Sequence, residues 1–192
     1  DGAVTFSLGF SDAGGNAGVA VTATTDGSAV THDDTPPTLS NIVEATSGTG
    51  EANDGDTVSL TITASENIQQ PVCTFASGGA AMANTVSYSG SGTGWTASLT
   101  VADGDTNGDV TFSCAFSDVA GNAGTPDTTA DSGDIEVENT HPTVSSFSFN
   151  DVAMKSGDTP TLTLTFNEAV VGFASAADVS CPSGTLGTMS TA

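Results

Sequence analysis

Positive charge is almost absent from this chain. Its 192 residues carry one basic side chain, Lys155, against 23 Asp and Glu, a formal net charge of −22. A surface this acidic repels phosphate, which excludes nucleic acid and anionic membrane surfaces as partners. No apolar run approaches the roughly 20 residues that span a bilayer, so no membrane insertion is expected in this segment. There is no N-x-[ST] sequon. The two histidines, His32 and His141, fall in linkers at non-equivalent positions and have no second catalytic group beside them. An enzyme is therefore not expected. Aromatic residues are 6% of the chain, with one Trp and one Tyr, and both have the parity of core residues. That leaves little for the exposed platform on which sugars usually stack.

What is present is a foldable, Ser/Thr/Gly-rich polypeptide. Charged residues are only 12% and hydrophobic ones 36%, which is unlike a solvated acidic tail. The uncompensated carboxylates call for counter-ions, either divalent cations or high external salt.

The chain repeats itself. "VTFSLGFSDAGGNAG" from Val4 aligns with "VTFSCAFSDVAGNAG" from Val110, and "TPPTLS" from Thr35 with "THPTVS" from Thr140. "GDTVSLTITASENI" from Gly55 aligns with "GDTPTLTLTFNEAV" from Gly157. A fixed period of roughly 105 residues marks a tandem array. The phasing predicts one complete repeat over residues 35–140, the C-terminal half of a preceding repeat over 1–34, and the N-terminal half of a following one over 141–192. The hairpin "TVSYSGSGTGWTASLTVADGDT" has no counterpart in either half. The two halves of neighbouring molecules would thus not make a whole domain, and the sequence reads as a window on a longer chain.

Within the complete repeat, apolar residues alternate with polar ones. Val58, Leu60, Ile62 and Ala64 share one parity, as do Trp95, Ala97, Leu99 and Val101, and Val110, Phe112, Cys114 and Phe116. A period of two with β-branched residues is a half-buried strand. With 39–43, 72–75, 86–88 and 135–137, about seven short strands result, separated by Gly, Asp, Asn and Ser turns. Seven antiparallel strands in ~100 residues fit an all-β immunoglobulin-like sandwich with one shared core. Phe112, Phe116, Leu60, Ile62, Trp95 and Leu99 are expected in that core. Cys73 and Cys114 have core-facing parity on neighbouring strands, so a disulfide between them is geometrically reasonable. The alternative is two buried free thiols. Cys181 matches Cys73, while the position matching Cys114 in the preceding repeat is Leu8.

"FSDVAGNAG" with a "TPPTLS" linker, and "GDTPTLTLTFNEAVVGF" followed by "DVSCPSGTL", resemble the bacterial immunoglobulin-like repeats of large surface adhesins. The resemblance covers essentially the whole chain. It implies tandem β-sandwiches in an extracellular, cell-surface stalk, often stiffened by calcium. The cysteines depart from the commonest form of such repeats.

In a sandwich of this kind the loop 117–122, the end of the strand before Glu66 and the entering linker lie at one pole. Carboxylates from three separated stretches would converge there, and hard oxygen donors in that number suit Ca²⁺. At the first junction the expected ligands are Asp33, Asp34, Glu66, Asp118 and Asn122. At the second, Glu136, Glu138 and Asn139 are expected to face Glu168, with Asp103 and Asp105 approaching from the preceding repeat. The stretch "DGDTNGD" from Asp103 begins like a calcium loop, but its twelfth position is Cys114 inside a strand, which rejects a helix–loop–helix site. The competing explanation is that Asp, Asn and Gly are simply the residues that tight turns prefer.

Function is thus expected to be structural and adhesive: a rigid, calcium-stiffened stalk or filament segment whose partners are neighbouring repeats and other copies in a filament. The alternative is a ligand- or glycan-binding accessory module of a secreted multidomain protein.

Overall fold

The computed structural model describes residues 1–173, 178–183, 185–188 and 190. The chain falls into two compact units, Asp1–Asn139 and Thr140–Ala192.

In the first unit, residues 39–137 build two four-stranded sheets. One contains β3 (Leu39–Thr46), β4 (Thr57–Ala64), β8 (Gly94–Thr100) and β7 (Ser87–Ser91), paired in that order. The other contains β10 (Glu136–Val137), β9 (Gly108–Ala115), β5 (Val72–Ser77) and β6 (Ala80–Ala81), also in pairing order. Every named pair is antiparallel. This is the expected immunoglobulin-like sandwich, with the short β6 added at one edge.

Alternation places the core. Val58, Leu60 and Ile62 on β4 are fully buried, while Thr61 between them is exposed. They pack with Ala97, Leu99, Phe75, Val110, Phe112 and Val137. The expected core is divided, however. Phe116, Ala64 and Ile68 form a separate small cluster, and Trp95 packs against it only half-buried, with its indole N–H on the Gly92 carbonyl at 3.3 Å. Trp95 sits near the end of its strand, where a large ring reaches the rim of the sandwich. Tyr88 is tied in by its hydroxyl, which accepts from Cys73 N at 2.8 Å and donates to Cys73 O at 3.3 Å. Cys73 and Cys114 lie directly opposite in the β5–β9 register and are joined by a disulfide. The bridge therefore lies within one sheet.

Residues 1–34 extend this unit as a loose hairpin. β1 (Gly2–Ala3) pairs with β2 (Thr31–His32), and single bridges continue the ladder at Leu8–Val21 and Ser11–Ala17. Its Val4, Phe6, Leu8 and Phe10 are about half exposed, whereas their repeat counterparts Val110, Phe112, Cys114 and Phe116 are buried.

In the second unit β11 (Val144–Phe149) pairs antiparallel with β12 (Leu162–Phe166). Phe147 and Phe149 meet edge to face at 6.4 Å, and both remain exposed. Cys181 is a free, exposed thiol. Among the described residues no helix is long and apolar enough to cross a membrane.

Candidate metal centre

The repeated "FSDxxGNAG" is a turn built the same way twice. Asp118 Oδ1 accepts from Gly121 N at 2.6 Å and Asn122 N at 2.8 Å, and its Oδ2 accepts from the Asn122 side-chain amide at 2.8 Å. In the preceding copy Asp12 accepts from Gly14 N, Asn16 N and the Asn16 amide at 2.8–2.9 Å. The carboxylate thus satisfies the backbone donors of the turn, as Asp does in tight loops. The closing glycine has its own cause. A Cβ on Gly124 would sit 2.2 Å from the Phe116 ring, and one on Gly18 would sit 2.2 Å from the Phe10 ring. Both glycine amides donate to the carbonyl of that phenylalanine, at 3.0 and 2.8 Å.

In the complete repeat this turn also meets the linker. The second hydrogen of the Asn122 amide goes to the Asp33 carbonyl at 2.9 Å, and Gln69 Nε2 donates to the Asp118 carbonyl at 3.0 Å. Pro37 is buried, and its carbonyl lies 2.8 Å from where a Gly124 Cβ would be. Through these contacts three elements converge: the linker with Asp33, the end of β4 with Glu66, and the turn with Asp118. One carboxylate oxygen from each lies within 4.8 Å of the other two. Asp33 and Glu66 are half-buried and Asp118 is buried.

The electrostatics follow from that crowding. Burial, then the charges of Asp33 and Asp118, raise Glu66 above the usual glutamate range. Burial pushes Asp118 up as well, but the hydrogen bonds from Asn122 and the backbone amides of Gly121 and Ala120 outweigh it and hold Asp118 below the usual range. Three oxygens within 4.8 Å of one another match the span across a cation with metal–oxygen distances of about 2.3–2.6 Å. All the donors are hard oxygens, so the donor set fits Ca²⁺ rather than a thiolate-seeking metal.

The other expected ligands are not part of this three-carboxylate group. Asp34 is exposed beside His32, Oδ2 to Nε2 3.3 Å, and its amide donates to Asp1 Oδ1 at 2.9 Å. Asn122 enters the pole through its amide nitrogen rather than as a carboxylate-like donor. Asp105 is buried and accepts from Ala83 N and Ala102 N, both at 2.9 Å. Asp103 is exposed in the same turn. Asn139 closes that turn, donating to the Ala102 and Asp105 carbonyls and, from its backbone, to Asn107 Oδ1. Glu138 accepts from the Asn107 amide at 2.7 Å. Glu136 lines a shallow acidic groove with Glu51, Asp109 and Asp134. Glu168 belongs to the second unit, where it accepts from Asn167 at 3.3 Å. Only Asp33, Glu66 and Asp118 form a three-carboxylate group among the described residues. Sequence reasoning missed Gln69 and Asp1, which no repeated motif singles out.

Residues 138–192 match a family model described as a bacterial Ig-like domain. That segment is similar to bacterial Ig-like domains. No curated protein and no solved structure matches the chain. The matched segment contains β11 and β12, and the stretch "GDTPTLTLTF" that ends in β12 is the counterpart of the one that holds β4 in the complete repeat. Bacterial Ig-like domains are in general non-catalytic, and the match suggests an extracellular structural or adhesive module. The disulfide fits an oxidising environment.

Proposed function

We propose that this chain is a segment of an extracellular stalk or filament of a large surface adhesin, in which bacterial Ig-like repeats are stiffened by calcium at their joints. On this reading 1–34 is the second half of one repeat, 35–140 a complete repeat, and 141–192 the first half of the next. The half-exposed apolar rows Val4–Phe10 and Phe147–Phe149 support it, because their counterparts are core positions in the complete repeat. Neighbouring repeats of the same chain, and other copies in a filament, are the partners.

The observation that carries the calcium reading is the meeting of Asp33 from the linker with Glu66 and Asp118 from the repeat body. Without a cation these carboxylates repel and favour an open joint. A cation shared between them ties the linker to the body, and stabilises that geometry by RT ln(1 + [L]/Kd), ~2.7 kcal/mol at a hundredfold excess over Kd. Water or further backbone oxygens complete the six to eight oxygens, roughly, that calcium takes. Exposed Asp34 lies in the same linker and adds negative potential there.

The test is small-angle scattering of two copies of residues 33–137 in tandem, which puts Asp33 in the joint at the register of the repeat, in calcium and then in chelator. The stalk reading expects a longer, narrower particle with calcium. An unchanged maximum dimension would overturn the stiffening.

A further inference from the structure

The complete repeat has a carboxyl group inside its sandwich. On β3, Ile42 and Glu44 share a face, as residues two apart on a strand do, and both are buried, at 2% and 7% exposure. Glutamate is almost never buried without a partner, yet Glu44 Oε1 has no hydrogen-bond partner. The following copy has a different residue at this position. Glu44 stands opposite Leu60, and in the second unit Phe149 stands opposite Leu162. Leu60 and Leu162 occupy the same place in "GDTVSL" and "GDTPTL". Phe149 is thus the counterpart of Glu44.

The segment 131–134 closes onto this site. Asp131 N and Ser132 N donate to the Ile42 carbonyl at 2.8 and 3.3 Å, and Glu44 N donates to Ser132 O at 2.9 Å. Asp131 Oδ2 accepts from Ile42 N at 2.7 Å. Gly133, at φ 88°, runs so close that a Cβ there would lie 2.2 Å from the Glu44 carbonyl oxygen. Asp134 follows at once and is the charge that acts on Glu44. After the equivalent glycine of the preceding copy, Gly27, the chain has Ser28 instead. Both acids of this pair are therefore particular to the complete repeat.

We propose that Glu44 and Asp134 form a proton-operated latch: with Glu44 protonated the 131–134 segment stays seated on β3, and with Glu44 ionised against Asp134 that seat loosens. The parallel bridge Val43–Ser132 joins the first strand of the repeat to its last segment, so the latch sets how firmly its two ends are held. The other surroundings do not offset the charge. β4, β7 and β8 carry no titratable side chain apart from Tyr88, and β5 only the disulfide cysteine Cys73. The facing segment adds Asp127, Asp131 and Glu136, and β9 adds Asp109; all of these are acids. Among the described residues Glu44 makes no ion pair.

Burial, and then the charge of Asp134, push Glu44 up from the ordinary 4.5 to about 7. A pKa raised in the folded state means that the folded chain holds the proton more tightly than the unfolded one. The stabilisation is complete below about 4.5 and is lost as pH rises through about 7.

The experiment is carboxyl-detected NMR of the whole chain across that range, with amide hydrogen exchange at Glu44. The latch predicts a Glu44 midpoint near 7, and protection of its amide that falls about tenfold or more on ionisation, after correction for intrinsic exchange. Glu44→Gln and Glu44→Phe should keep their protection at alkaline pH. A Glu44 carboxyl that titrates near the ordinary 4.5 overturns the latch, and so does a Glu44→Gln chain that retains the wild-type pH dependence. The titration needs no variant, so it decides the matter even where a variant does not fold.

Discussion

The side-chain amide of Asn122 donates to the backbone carbonyl of Asp33, 89 residues earlier, at 2.9 Å. The same amide holds Asp118 Oδ2 at 2.8 Å, so one NH₂ group fixes the linker against the turn it passes. Asn122→Ala strips partners from a buried carboxylate and should cost about 1–3 kcal/mol. The lone tryptophan, Trp95, lies in this repeat and reports its urea transition. Asn16→Ala removes the equivalent clasp in residues 1–34, where no linker bond exists, and should leave that transition unmoved.

Gly124→Ala tests the packing of the repeated motif. The added Cβ meets the Phe116 ring at 2.2 Å, which cannot be relieved without moving the ring or Pro37. Overpacking of this kind costs typically about 1–3 kcal/mol. Gly104→Ala, which meets nothing within 4 Å, should be nearly neutral in the same melt.

The disulfide closes a separation of 41 residues. Reduction should destabilise the repeat by up to about 4 kcal/mol on the chain-entropy account. In intact-mass analysis of the non-reduced native chain, an alkylating reagent should label Cys181 alone; labelling of Cys73 or Cys114 would contradict the bridge.

Leu60→Ala and Trp95→Ala should separate the two clusters of the sandwich. Leu60 is fully buried in the main core, and its truncation should cost about 2–5 kcal/mol. Trp95 is half-buried on the small cluster, and its loss should fall below the ~3–5 kcal/mol of an enclosed aromatic. Since Trp95→Ala removes the fluorophore, both are read by circular dichroism.

Much of this fold is legible in the alternation of Val58, Leu60 and Ile62 with threonines, and of Val110, Phe112 and Cys114 with polar residues, because a strand buried on one face must alternate. The same parity brings Cys73 opposite Cys114. Glu44 was not legible. The alternation is broken by an irregularity between Ser40 and Val43, where Asn41 takes φ 51°, and the strand runs on to Thr46 instead of ending near Val43. A carboxylate in such a stretch reads as the start of a loop. Nor does sequence separate the duties of an acidic turn. Asp105 and Asp118 both satisfy backbone amides, yet only Asp118 also stands beside two further carboxylates from distant stretches. That difference depends on the course of the linker, which Pro37 and Asn122 fix.

Calorimetric titration of calcium into the whole chain, with Glu66→Gln alongside, tests the central claim most directly. Glu66 takes no part in the Asp118 turn, so replacing it should leave that turn standing while removing one of three charges from the site. The account predicts a binding heat for the wild-type chain and an affinity at least about tenfold weaker for Glu66→Gln, roughly 1.4 kcal/mol or more. Without calcium, the variant's melting temperature should be equal or higher, because the repulsion from Asp33 and Asp118 is relieved. No calcium heat in the wild type, or the same affinity in both, would mean that Asp33, Glu66 and Asp118 do no more than shape an acidic corner.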